Sequence, residues 1–187
     1  MAQMSDLKKN LKIIIDGDPY TVVEANFVKP GKGTAFTKCR IKNLITGSVL
    51  ERTWRSGESV ELASTEVRRM QYLYQDGSHL VFMDNQTYEQ ILLEEDVIGD
   101  GVKFLIDNLE CEILFFNDKP VGCEIPTFVE LEITTCEPGV KGDTAQGATK
   151  PATLSTGAVV NVPLFVNEGD WLKIDTRTGQ YVERVKK

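Results

Sequence analysis

Short runs of alternating apolar residues, each stopped by Gly, Asn or Asp before it reaches helical length, confine this chain to β-barrels or sandwiches. The punctuation is regular. An Ile run and a Val run flank Asp16-Gly17, an Asp-Gly step that favours a two-residue hairpin because both residues tolerate positive φ. The same logic predicts hairpins around Thr46-Gly47, Asp76-Gly77 and Asn117-Asp118, and strand–turn–strand order through Glu168-Gly169-Asp170 and Thr178-Gly179. Around Thr46-Gly47 the alternation puts Cys39 and Ile41 on one face and Lys38, Arg40 and Lys42 on the other.

One segment has helical spacing. In "DGVKFLIDNL" the residues Val102, Leu105, Ile106 and Leu109 follow i, i+3, i+4, i+7, with Asp100 as a candidate cap. Strands, one short helix and strands again predict a small barrel of the oligonucleotide-binding (OB) type in the middle of the chain. Farther on, Val129, Leu131 and Ile133 alternate with Glu130, Glu132 and Thr134, and a Gly/Thr/Ala-rich loop is expected from there through Leu154. The reading is all-β, in three small barrels at 1–63, 64–126 and 127–187, each within the lower range of domain sizes.

Charge is distributed by thirds. Residues 1–63 hold ten basic and seven acidic groups (+3), residues 64–126 four and thirteen (−9), and residues 127–187 seven and eight (−1), which sum to the formal −7. A nucleic-acid partner therefore points to the first third alone. Within it, Ala25 to Leu50 carries Lys29, Lys32, Lys38, Arg40 and Lys42 without an Asp or Glu.

Several chemistries are excluded. No apolar run reaches the length of a membrane span, and "MAQMSDLKKN" lacks an apolar signal core, so a cytoplasmic protein is expected. Cys39, Cys111, Cys123 and Cys136 form no C-x-x-C pair and read as reduced thiols, with neither metal nor cofactor implied. His79, the only histidine, lies beside a turn with no nucleophile to serve. "GKGT" is not a phosphate loop: Asn26 stands five before Gly31, Gly33 follows Lys32, and a β run follows the loop where a helix is needed.

The stretch "VKPGKGTAF" remains. Pro30 fixes one φ, Gly31 and Gly33 permit dihedrals that other residues avoid, and Val28 and Phe36 supply apolar feet on the flanking strands. A lysine bracketed by glycines has no neighbour to pair with or lie along, so Lys32 is presented to another molecule. Its amine is also open to covalent extension.

Together, "FVKPGKGTAF" (27–36), "NLITGSVLERTWRSGE" (43–58), "MQYLYQDG" (70–77), "FVELEI" (128–133) and "GDTAQGATKPATLSTGAVVNVPLFVNEGDWLKIDTRTGQYVERV" (142–185) resemble bacterial elongation factor P over nearly the whole chain. The resemblance implies an SH3-like (KOW-type) N-terminal barrel and two OB-type barrels in an L shape that mimics a tRNA. It implies a monomeric, non-enzymatic factor that enters the ribosome between the peptidyl and exit sites and relieves stalling at consecutive prolines. Lys32 matches the family's modified residue, which implies a lysine-modifying enzyme as partner and contact with the CCA end of peptidyl-tRNA. Lys29, Pro30, Gly31, Gly33, Thr34, Lys38, Arg40 and Lys42 are the expected tRNA-binding residues around it. Gly142, Asp143 and Thr144 would face the small subunit. Thr34 stands where enteric relatives carry Gln, and both β-lysylation and aminopentanol attachment stay open at Lys32. The competing reading is a free single-stranded nucleic-acid binder that stacks bases on OB barrels. The −9 and −1 charges of those barrels oppose it.

Overall fold

A computed structural model describes residues 1–139 and 147–187. The expected contacts at Gly142, Asp143 and Thr144 lie outside the described residues. The fold is all-β, in three antiparallel sheets.

The first sheet is built from β1 (Ala2–Gln3), β2 (Lys12–Ile15), β3 (Asp18–Val28), β4 (Phe36–Asn43), β5 (Val49–Arg55) and β6 (Ser59–Leu62). Their spatial order is β1-β6-β2-β3-β4-β5. As the sequence predicts, Asp16 (φ 53°) and Gly17 (φ 88°) make a two-residue turn, with Ile15 opposite Asp18. Ile13, Val22, Cys39, Ile41 and Trp54 fill the core of this sheet. Burial pushes the Cys39 thiol up from its usual pKa.

The second sheet comprises β7 (Thr65–Asp76), β8 (His79–Asp84), β9 (Gln90–Glu94), β10 (Glu110–Phe116) and β11 (Lys119–Glu124), in the order β11-β10-β7-β8-β9. Asn117 (φ 49°) and Asp118 (φ 59°) form the expected turn. The β7–β8 turn falls one residue later than expected, at Gly77-Ser78, because Asp76 stays extended and pairs with His79 while Gly77 takes the positive φ.

The predicted helix from Asp100 to Leu109 is absent. A four-residue helix, α1 (Glu95–Ile98), ends at Gly99 (φ 70°, ψ −139°), and a 3-10 segment, Gly99–Phe104, follows. Two glycines within three residues oppose α-helix propagation, and Leu105 is already extended. The tighter turn buries Phe104 against the residues of the third sheet, with Ile106 and Leu109 packed beside it.

That sheet contains β12 (Phe128–Cys136), β13 (Thr149–Leu154), β14 (Val159–Pro163), β15 (Trp171–Asp175) and β16 (Gln180–Val185), ordered β14-β13-β12-β15-β16. Val129, Leu131 and Ile133 are buried, as their alternation predicts. β13 corrects the expected loop, since small residues conceal a strand in which Lys150, Ala152 and Leu154 alternate inward. The Lys150 ammonium stays satisfied by donating to the Glu137 carbonyl at 2.6 Å.

By compactness the chain forms two units, Met1–Arg68 with Ile113–Gly122, and Arg69–Glu112 with Cys123–Lys187. The expected limits at 63/64 and 126/127 fall in the gaps after β6 and after β11.

Candidate functional site

β3 and β4 form the longest paired ribbon of the first sheet, and the pair Val28 and Phe36 closes it at the end where the loop begins. The loop, residues 29–35, is fixed at its far side by Ser56 N–H, which donates to the Ala35 carbonyl at 2.9 Å. Gly33 adopts φ +112°, a conformation that an L side chain resists, so it turns the chain just after Lys32. Pro30 is half-buried beneath it, whereas Lys29, Gly31, Lys32, Gly33 and Thr34 are exposed. Lys32 makes no hydrogen bond or ion pair with any described residue. The loop therefore presents its cation to solvent.

Below the loop, β4 alternates as predicted: Thr37, Cys39, Ile41 and Asn43 point inward, and Lys38, Arg40 and Lys42 point outward. Buried polar groups hold this strand in place. The Thr37 hydroxyl donates to the Met4 carbonyl at 3.3 Å. Asn43 Nδ2 donates to Asp18, while its Oδ1 accepts from the N–H groups of Ile45 and Thr46.

Two of the outward cations are already partnered. Lys38 Nζ lies 2.8 Å from Glu51 Oε2, and Arg40 lies 3.8 Å from Glu24. The hydrogen bond to Glu51 raises the Lys38 pKa, and the same bond holds the Glu51 carboxyl below its ordinary value. Sequence reasoning missed both carboxylates. They are the first acids outside the acid-free stretch Ala25 to Leu50, and strand register brings each back across the sheet, with Glu24 and Glu51 both opposite Arg40. Lys29, Lys32 and Lys42 stay without a partner among the described residues.

Cys111 Sγ donates to the Leu109 carbonyl at 3.9 Å, and its interaction with Cys123 lowers its own pKa and raises that of Cys123. All four cysteines are free. Among the described residues no group of three or more His, Cys, Asp or Glu side chains could hold a metal ion. No helix among them is long and apolar enough to cross a membrane.

Three family models match consecutive parts of the chain: the elongation factor P KOW-like domain at residues 3–60, the elongation factor P OB domain at 65–123, and the elongation factor P C-terminal domain at 129–184. The chain is 54% identical over 187 residues to elongation factor P of Desulfatibacillum aliphaticivorans, covering 100% of both chains. It is 55% identical to elongation factor P of Desulfitobacterium hafniense strain DCB-2, covering 98% of this chain and 100% of that one. Among solved structures, the eukaryotic translation initiation factor 5A from Methanococcus jannaschii is similar, with a TM-score of 0.54 and 28% identity. That likeness covers 67% of this chain and 90% of the other.

Proposed function

The chain belongs to the elongation factor P family, and on that premise we propose that it binds the ribosome between the peptidyl and exit sites and stimulates peptide bond formation at consecutive prolines. Lys32 reaches the CCA end of peptidyl-tRNA and holds it in the reactive orientation. The ring of proline restricts its backbone, so the slow step is one in which orientation limits the rate. A positioned cation lowers that barrier without forming a bond to the substrate. The factor acts as a monomer, through the three domains 1–63, 64–126 and 127–187.

One observation carries this reading: a partnerless, exposed lysine at the tip of a loop whose feet are pinned. A cation that stabilises nothing in its own chain is free to serve another molecule. A lysine-modifying enzyme extends the Lys32 amine and lengthens its reach. Lys29, Pro30, Gly31, Gly33 and Thr34 shape the loop against the tRNA, and Lys38, Arg40 and Lys42 meet its phosphates. Gly142, Asp143 and Thr144 face the small subunit.

A photo-crosslinking residue placed at position 32 tests the geometry on stalled ribosomes. Crosslinks to the 3′ end of peptidyl-tRNA are expected, and crosslinks confined to other RNA would contradict the proposal. Intact-mass measurement of the native protein, with sequencing of the Lys32 peptide, is expected to show added mass at that residue.

A further inference from the structure

We infer that a cleft beside β3, away from the lysine loop, seats one ribonucleotide: its phosphate on Lys8, Lys9 and Arg40, its ribose and base on an apolar floor. The cleft has a volume of about 480 Å³. It is a shallow groove, open to solvent along much of its length.

The backbone builds it. β3 carries a bulge, since its pairing with β4 shifts between Val22 and Glu24 and leaves Val23 out of register. Bulges re-aim side chains. The turn at Lys8–Leu11 is tied to the same place: Asn10 N–H donates to the Val22 carbonyl at 2.7 Å, and Val22 N–H donates to the Leu11 carbonyl at 2.9 Å. These bonds hold the paired lysines at the cleft. Leu7, Val23 and Ala25 supply the apolar lining.

The charges select an anion. Lys8, Lys9 and Arg40 oppose only Glu24 on the lining, a local balance of three to one in an otherwise acidic protein. Lys8 and Lys9 make no ion pair with any described residue. The Arg40–Glu24 pair is long, 3.8 Å, against about 2.7–2.9 Å for a strong charge-assisted contact, and both side chains are half exposed. An entering phosphate can draw Arg40 from Glu24 at little cost. Guanidinium and paired ammonium groups suit phosphate oxygens, and a bare phosphate would leave the apolar floor unused. The ligand class is therefore a nucleoside monophosphate unit, whether free or within an RNA strand. The inference shares Arg40 with the tRNA-phosphate face proposed above and extends that reading to Lys8 and Lys9; it holds without Lys32, because no loop residue lines the cleft.

Amide NMR titration of the full chain with hexauridylate, and separately with AMP, at about 50 mM salt tests it. Shifts centred on Lys8, Lys9, Val23, Glu24 and Ala25 are expected. Shifts with both probes support a seat open to free nucleotides, and shifts with hexauridylate alone support a seat for a strand. The double variant Lys8→Ala/Lys9→Ala should bind about tenfold more weakly, with the rest of its spectrum unchanged. Glu24→Gln should bind about two- to fivefold more tightly. Lys186→Ala, an exposed lysine with no role in either site, serves as the control, and its cleft shifts should match the wild type. Cleft amides unmoved by both probes, or affinity in the double variant within about twofold of the wild type, would overturn the inference.

Discussion

Replacing Phe104 with alanine removes a ring that is 1% exposed and sits in the core of the third sheet, although it comes from the 3-10 segment that follows α1. Transfer of a buried phenylalanine side chain contributes about 1.5–3 kcal/mol. The cavity adds to that, because the surroundings cannot close. The nearest wall includes Gly179, where an added Cβ would lie 3.6 Å from the ring, and Gly179 is fixed by its N–H bond to the Asp175 carbonyl at 2.8 Å. Lys103 also loses the ring face that its ammonium overlies at 5.2 Å. The expected total is about 3–5 kcal/mol, which lowers the thermal midpoint by roughly 6–20 °C for a chain of this size. Val102→Ala is the control. On the helix that the spacing suggests, Val102 would be an anchor; in the 3-10 segment it is only half-buried, and its loss should cost about 1 kcal/mol or less. Differential scanning calorimetry of both variants decides the matter. A fall below roughly 3 °C for Phe104→Ala, or equal falls for the two variants, would refute the placement of that ring.

Lys32→Ala should leave stability within about 0.5 kcal/mol of wild type, a midpoint shift of roughly 1–2 °C, since the side chain has no partner to lose; a clear fall would show that the loop cation is structural. Glu51→Gln frees Lys38, so the slope of log affinity for RNA against log salt should steepen by about 0.7–0.9, or roughly a threefold greater loss across a fourfold rise in salt. An unchanged slope would mean that Lys38 meets no phosphate. Asp175 is held below the usual carboxylate range, first by the Arg177 side chain and then by backbone N–H groups of the β15–β16 turn. Its folded pKa is depressed, so its contribution is present above the unfolded value and is lost as pH falls through the lower folded value. The stability gap between wild type and Asp175→Asn should therefore shrink below about pH 4, and urea melts across pH 2–7 would show a constant gap if the pairing contributed nothing.

Turn chemistry makes most of the fold legible in the sequence. Asp16-Gly17 and Asn117-Asp118 need positive φ at both positions and have it. The segments that misled share a cause: local pattern lost to tertiary context. Val102, Leu105, Ile106 and Leu109 have helical spacing, yet Gly99 and Gly101 weaken the helix and burial of Phe104 favours a tighter turn. Thr149–Leu154 reads as a loop because its small residues carry little β signal, whereas pairing with β12 and β14 on both sides makes it an internal strand. At the candidate site the exposed lysine and the cationic face of β4 could be read from glycine placement and alternation. The counter-ions Glu24 and Glu51 could not, because their proximity depends on cross-strand register. The cleft at Lys8 and Lys9 was equally hidden, since it depends on a bulge with no sequence mark of its own.

The central claim is that Lys32 orients the end of peptidyl-tRNA, and a reconstituted translation system measures it most directly. A Pro-Pro-Pro reporter is compared with an otherwise identical Ala-Ala-Ala reporter, each without factor, with the native protein and with Lys32→Ala. Orientation limits the rate only for the poor nucleophile, so the native protein should rescue the proline reporter, leave the alanine reporter nearly unchanged, and lose the rescue in the variant. Equal acceleration of both reporters, or full rescue by Lys32→Ala, would contradict the account.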